Sequence, residues 1–398
     1  MRLAHFVLSG AVVGGVERYL AELLAASDPT LEHRVVTDHA GSCDFSGRWP
    51  VTSLAWSAEG DGPRAGEGEA TGVLAGLGGV CLFHYPPSGE TLAAARRARM
   101  GVAIFCHDHR WWCASASRYY GRTRSICGIR GATGACALRY YALRCGGLRP
   151  GPMVRGLSRA AAGRRALAAA DAVFTASSFM AAEAALHGAS PARTQLAPLP
   201  THLESAAPAP PQAGEPPVIL CASRLTPEKG VGLLLDAFAL MHVRARLELA
   251  GSGIGARATE RAVATHPARE RIRLLGHLED AAMRAAYARA SAVAVPSLWP
   301  EPFGLVGIEA LAAGRPVVTT GVGGIADWAR TDLGVITAPP HAPAELAAAL
   351  DRTLSDPSWA ARAREAGSRW VRERHSIAAH VARLRDVLRP LSPRDGAA

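Results

Sequence analysis

Two glutamates with the spacing to do chemistry, Glu301 and Glu309, lie in Pro300-Glu301-Pro302-Phe303-Gly304-Leu305-Val306-Gly307-Ile308-Glu309. The segment follows a strand-like run and opens a helix that Gly314 and Pro316 close. Prolines on both sides stiffen the loop around Glu301, and Gly304 lets backbone approach a ligand at the helix N-terminus. There, free N–H groups and the helix dipole favour an anion such as a diphosphate, while carboxylates accept hydrogen bonds from hydroxyls. Alone, such a strand–glycine–helix junction serves as readily as a structural loop.

A second loop changes that balance. The apolar run Val218 to Ala222 leads into Ser223-Arg224-Leu225-Thr226-Pro227-Glu228-Lys229-Gly230, which puts two cations at a strand's carboxyl end. Arg224 offers a planar fork and Lys229 a compact charge, a pair suited to neutralising a departing diphosphate in place of a magnesium ion. The competing reading is two solvated surface cations. His107 and Asp108 follow another apolar run, Ala103 to Cys106, where a histidine can either pack or face a ligand.

These loops need elements to position them. Short β-like runs alternate with helical patterns: Leu3 to Leu8 then Gly15 to Ala26, Val80 to Phe83 then Gly89 to Arg99, Ala103 to Cys106, and Asp171 to Ala176 before a helix at Phe179 to His187 capped by Ser177 or Ser178. The proline-rich segment Pro198 to Pro217 has neither period. Beyond it the alternation resumes through strands at 218–222, 247–250, 272–275, 292–296 and 316–319 with helices between them. The pattern predicts an α/β protein with two Rossmann-like, doubly wound parallel sheets. The expected domains are 1–200, a linker at 201–217, 218–375, and a final helical segment at 376–398. Ligands of such folds bind at the carboxyl ends of the strands, here in a cleft between two domains.

At 398 residues, with 49% hydrophobic and 20% charged residues, the chain suits two packed domains rather than a disordered or fibrous protein. Its net charge of +10 is concentrated: His109 to Ala170 holds twelve arginines and no Asp or Glu. That stretch suits an anionic membrane face or a phosphorylated acceptor, with a solvated basic surface as the competing reading. Nucleic acid is not expected, because the arginines accompany no motif for base readout. The N-terminal apolar run is too short for a secretory signal, and Asp171 and Glu183 interrupt the best candidate span. A cytoplasmic protein, peripheral at most to the inner membrane face, is expected, with most of its 8 cysteines reduced.

With Gly251-Ser252-Gly253, Gly276-His277-Leu278, Gly14-Gly15-x-Glu17 and His107-Asp108 added to the two loops, the order and spacing resemble the retaining glycosyltransferases of family 4, which have the GT-B fold. The resemblance implies transfer of a sugar from a nucleotide-sugar donor, commonly a UDP-sugar, with no cofactor and no divalent metal. It implies that Glu309 binds the ribose, Glu301 the donor sugar, Arg224 and Lys229 the diphosphate, and the backbone of Phe303, Gly304, Leu305 and Val306 both sugar and phosphate. Gly253 joins the donor site, His277 and Leu278 edge the base, and Gly14 and Gly15 approach the phosphates. His107 lies against the donor sugar at the reacting centre, and the final helix crosses back to the first domain. Retention by front-face attack, the leaving phosphate taking the acceptor proton, accounts for the lack of a glycosidase-type nucleophile.

An insert at about 109–155 departs from the usual pattern. It carries Cys113, Cys127, Cys136 and Cys145 among aromatics and arginines, without any Cys-x-x-Cys pair. A structural metal site or disulfide staple is one reading and free thiols the other. Its position after a first-domain strand makes Asp108, Trp111, Trp112 and Tyr119 acceptor candidates. The acceptor itself is read as a small specialised metabolite, such as an aminoglycoside or antibiotic precursor. A lipid-linked or cell-surface saccharide is the alternative. A nucleotide-sugar epimerase or phosphorylase would share the scaffold, and a non-catalytic sugar-binding protein would bind donor without transfer. A nicotinamide-dependent dehydrogenase fits poorly, because Gly10 to Gly15 fails the Gly-x-Gly-x-x-Gly spacing and Gly251 to Gly255 meets it only in part.

Overall fold

A computed structural model describes residues 1–9, 15–26, 28–38, 45, 49–57, 67–129, 134–201 and 216–392. Gly14 and most of the proline-rich segment lie outside the described residues. The chain divides into two compact units, one of 1–122, 127–198 and 377–398, the other of 123–126 and 199–376.

The first unit is built on a parallel sheet of β1 (Arg2–Val7), β2 (Glu32–Thr37), β3 (Val51–Ser53), β4 (Val80–Phe83), β5 (Gly101–Cys106), β6 (Ala172–Thr175) and β7 (Thr194–Leu196), in the order β3-β2-β1-β4-β5-β6-β7. The central strands are apolar and buried on both faces, as parallel strands covered by helices must be. Ser88 and Ser177 cap helices Gly89–Arg97 and Ser178–Leu186 by accepting the amides of Thr91 and Met180. The final long helix, Ile377–Leu388, packs on helix Gly15–Ala25, with His380 Nε2 2.7 Å from the Tyr19 hydroxyl and Arg385 paired to Asp28 at 2.6 Å.

The start of the arginine-rich insert is part of this core, whereas residues 121–126 are exposed. Trp111 and Trp112 are 1% and 2% exposed and join the apolar cluster around Phe83, Ile104 and Leu167. The helix Pro150–Ala169 lies over the turn at His109–Trp111, and Arg159 donates to the carbonyls of Cys113 and Ala114. Arg118 is likewise internal, paired to Glu183 at 2.9 Å. Among the described residues no helix is long and apolar enough to cross a membrane.

The second unit repeats the plan with β8 (Val218–Ala222), β9 (Arg246–Ala250), β10 (Ile272–Gly276), β11 (Ala292–Val295), β12 (Val317–Thr319) and β13 (Val335–Thr337), in the order β10-β9-β8-β11-β12-β13. Sequence order reverses between β8 and β11, and it is outside the carboxyl ends of the strands at such a switch that doubly wound sheets bind ligands.

Candidate functional site

Both glutamate and cation loops leave that switch. The loop after β8 runs from Ser223 to Gly230 and the loop after β11 from Pro296 to Gly304. They are sewn together by backbone: the amide of Leu298 donates to the carbonyl of Glu228 at 2.8 Å. Gly230, at φ +73°, lies so close to the carbonyl of Pro296 that a Cβ would sit 1.8 Å from its oxygen. No side chain is compatible with that approach, so the glycine after Lys229 is a requirement of the junction.

At its centre Lys229 Nζ stands 2.6 Å from Glu301 Oε1, and Ser297 Oγ donates to the same oxygen at 2.6 Å. Lys229 also lies over the Trp299 ring, 4.8 Å from its centre. Burial alone would raise the Glu301 carboxyl, but Lys229, Ser297 and Trp299 overcome it and hold the group below the usual glutamate value. Glu301 is therefore an ionised carboxylate, and Lys229 has a fixed direction. Arg224, on the same loop, is exposed.

Helix Leu305–Ala312 starts directly after this loop, so the amides around Phe303 to Val306 form a helix N-terminus beside the Glu301 carboxylate. Trp328, fully buried, anchors the turn: its Nε1 donates to the carbonyl of Phe303 at 2.7 Å. Its ring lies against Gly307, where a Cβ would meet the indole at 1.9 Å. One helical turn beyond, Glu309 Oε2 accepts from the Tyr287 hydroxyl at 2.7 Å. Burial, and then Glu309, push the Tyr287 phenol well above its ordinary value, so it remains a donor.

The glycine loop after β9 closes one side. Leu225 donates to the carbonyl of Ser252 at 2.8 Å, and Gly255 donates to that of Leu225 at 2.7 Å, which places Gly253 beside the cation loop. His277 and Leu278 follow β10; His277 is exposed and 3.6 Å from Glu279. The fold thus brings Arg224, Lys229, Gly253, Glu301, Phe303, Gly304, Leu305, Val306 and Glu309 to one edge of one sheet, with His277 and Leu278 on a neighbouring strand's loop.

In the first unit, Gly15 opens the helix after β1, and Glu17 on its first turn is buried and accepts from the Tyr85 hydroxyl at 2.8 Å. His107 follows β5 and stacks on Phe105 at 4.3 Å between centres; its Nε2 is 2.9 Å from His84 Nδ1. Burial, then His380 and Arg110, lower its pKa to about 3. The acceptor candidates all lie in the first unit. Asp108 caps the amide of Arg110 and pairs with its guanidinium at 3.2 Å. Trp111, Trp112 and Tyr119 are 1%, 2% and 4% exposed, so these three aromatics pack inside the first unit.

Cys113, Cys127, Cys136 and Cys145 line one small hollow with Tyr120 and Arg139. All four are free thiols, and burial, with the neighbouring cysteines, pushes Cys145 up to about 12. Among the described residues no group of three or more His, Cys, Asp or Glu stands in a metal-holding arrangement. Residues that the sequence reading overlooked are Ser297, Trp299, Tyr287 and Trp328, and the histidines His5, His33 and His84. The first four adjoin the recognised motifs; the histidines carry no motif.

Residues 204–370 match the family described as Glycosyl transferases group 1. The chain is 36% identical over 141 residues to an uncharacterized glycosyltransferase, MJ1607, of Methanocaldococcus jannaschii, covering 35% of this chain and 36% of that protein. It is 26% identical over 178 residues to the alpha-D-kanosaminyltransferase of Streptomyces kanamyceticus, covering 44% and 46%. The matches thus span less than half of the length of these relatives. Its fold superposes on Anabaena Alr3699/HepE, solved in complex with UDP and glucose, with a TM-score of 0.71, 17% identity, and coverage of 98% of this chain and 99% of that one. Over residues 204–370 the chain is similar to the group 1 glycosyl transferases, and the chain has the GT-B fold.

Proposed function

We propose that the protein transfers a sugar from a nucleoside-diphosphate sugar, a UDP-sugar by preference, to an acceptor hydroxyl with retention of configuration. The observation that carries this reading is the Lys229–Glu301 pair, fixed by Ser297 and Trp299 at the switch point of the domain similar to the group 1 glycosyl transferases. Lys229 and Arg224 meet the diphosphate, Glu301 the sugar hydroxyls, and Glu309 the ribose. As the glycosidic bond breaks, negative charge grows on the β-phosphate, and the two cations with the helix N-terminus stabilise it without a divalent metal. The leaving phosphate takes the acceptor proton. From the first unit, Gly15 and His107 carry the roles that the resemblance gives them.

For the acceptor we propose a small hydroxyl-rich specialised metabolite such as an aminocyclitol. The likeness to a kanosaminyltransferase supports it, with a lipid-linked saccharide as the alternative. The exposed arginines among residues 110–165 are proposed to favour anionic acceptors or an anionic membrane face.

The test is a thermal-shift screen of UDP-, GDP- and ADP-sugars, then product analysis with the best donor in the presence of EDTA. Transfer or slow hydrolysis with the donor's anomeric configuration kept is the expected result. An isomerised nucleotide sugar formed without acceptor would instead mark an epimerase. Donor binding that persists with no turnover, even towards water, would defeat the proposal.

A further inference from the structure

A row of four histidines runs diagonally through the first sheet. His33 is the second residue of β2, His5 the fourth of β1, and His84 and His107 directly follow β4 and β5. These strands are neighbours in the sheet, so the row climbs from the start of one strand to the carboxyl edge of another. Each ring touches the next through nitrogen: His33 Nδ1 to His5 Nε2 at 2.9 Å, His5 Nδ1 to His84 Nε2 at 3.2 Å, and His84 Nδ1 to His107 Nε2 at 2.9 Å. His5 and His84 are 0% and 1% exposed and His33 is 6% exposed.

We propose that His33, His5 and His84 are positioning residues whose hydrogen-bonded chain fixes the proton of His107 on Nδ1, leaving Nε2 as an acceptor within the chain and Nδ1–H as a donor to a ligand. A neutral imidazole has one N–H and one lone pair. Three consecutive contacts each need one hydrogen, so all four rings must point the same way; a break in direction would set two N–H groups or two lone pairs against each other. Burial lowers the pKa of every ring, to about 4 for His33 and about 3 for His107, so each carries a single proton at neutral pH.

The far end of the row selects between the two directions. Among the described residues, His33 Nε2 is buried without a hydrogen-bond partner, and His33 lines a hollow of Leu3, Leu23, Leu31 and Val381. The polar side chain lining the same hollow, Arg385, can only donate. If the hydrogens ran towards His33, its Nε2 would carry an N–H buried in apolar surroundings with nothing to accept it. If they run towards His107, the orphan is a bare lone pair beside a donor-only neighbour. Buried N–H groups without acceptors are rarely tolerated, so the second direction holds. All four histidines are then Nδ1–H tautomers.

The value of this tautomer for catalysis rests on the transferase reading above; the tautomer itself does not. The experiment is long-range proton–nitrogen correlation on the full chain labelled with 15N-histidine, at pH 7, with His107→Gln and His33→Leu used to assign signals. The expected result is Nδ1–H for His107, His84, His5 and His33. An Nε2–H tautomer or a doubly protonated ring at any of the four overturns the chain. In a second arm, His84→Phe removes the donor to His107 Nε2. We expect mixed tautomers at His107 and a turnover about tenfold lower with donor KM within about twofold, and partial recovery in His84→Gln, whose amide can donate. Unchanged turnover, or a loss confined to KM, overturns the positioning role. Nδ1–H signals in a protein that transfers no sugar would leave the chain standing and remove the transferase reading.

Discussion

Lys229 Nζ and Glu301 Oε1, seventy-two positions apart, are held at 2.6 Å with side chains only 14% and 7% exposed. The pair joins the loops that carry the two most informative motifs, and each charge is nearly out of water. Removing one partner leaves the other buried and uncompensated, which costs about 3–5 kcal/mol. Lys229→Met and Glu301→Gln should each destabilise the protein on that scale, since each strands the full charge of the other partner. The double variant should lose markedly less than the two single losses added together. Denaturant unfolding of the four species measures the coupling, and simple additivity would mean that the pair is not a unit. Transfer should fall at least about a hundredfold in every variant.

Tyr287 and Glu309 give a milder test of the nucleotide side. The phenol holds one carboxylate oxygen of Glu309, the residue proposed above to meet the ribose, at 2.7 Å. Tyr287→Phe removes only that hydrogen bond, worth about 1.5–3 kcal/mol for a charged acceptor. We expect the Kd for UDP to rise by about tenfold or more by calorimetry, with Tm lower by only a few degrees. A Kd that does not move would separate Glu309 from the ribose.

Gly307, in helix Leu305–Ala312, packs so closely on Trp328 that a methyl group there would enter its ring. Gly307→Ala must push the indole away and strain its hydrogen bond to Phe303, at a cost of about 1–3 kcal/mol. The expected outcome is a lower Tm together with weaker donor binding. Adding Trp328→Phe, a smaller ring, should return part of the stability. A Gly307→Ala protein that melts and binds like the parent would show that the helix start does not depend on this packing.

How far these relationships were legible depended on whether chemistry and spacing lay close together in the chain. Glu301, Glu309, Arg224 and Lys229 sit in motifs beside apolar strands, so strand, turn and helix could be read together. Strand β2 could not, because Glu32-His33-Arg34 looks like a polar loop until β1 on one side and β3 on the other pair with it. The burial of Trp111 and Trp112 could not be read either, because nothing local shows that helix Pro150–Ala169, some forty residues on, packs on their turn. The histidine row needed the order and register of four strands, which no single window of sequence contains.

The same buried rings make stability depend on pH. An unfolded histidine titrates near 6.5, whereas His5 and His84 are held well below that, and His33 and His107 near 4 and 3, chiefly by burial. His187 is likewise lowered to about 4, by burial and then by Arg118 and Arg164. Below 6.5 the unfolded chain therefore binds protons that the folded one refuses. This contribution is full above about pH 6.5 and is lost as pH falls through the window towards 4, by up to about 1.4 kcal/mol per pH unit for each ring. Urea unfolding at pH 7.5, 6.5, 5.5 and 5 should show stability dropping more steeply than one group can explain, before most carboxylates titrate. His33→Leu should shallow the slope by one proton. If stability is level from pH 7 to pH 5, these histidines are not neutral buried groups, and the direction argued for the row loses its basis.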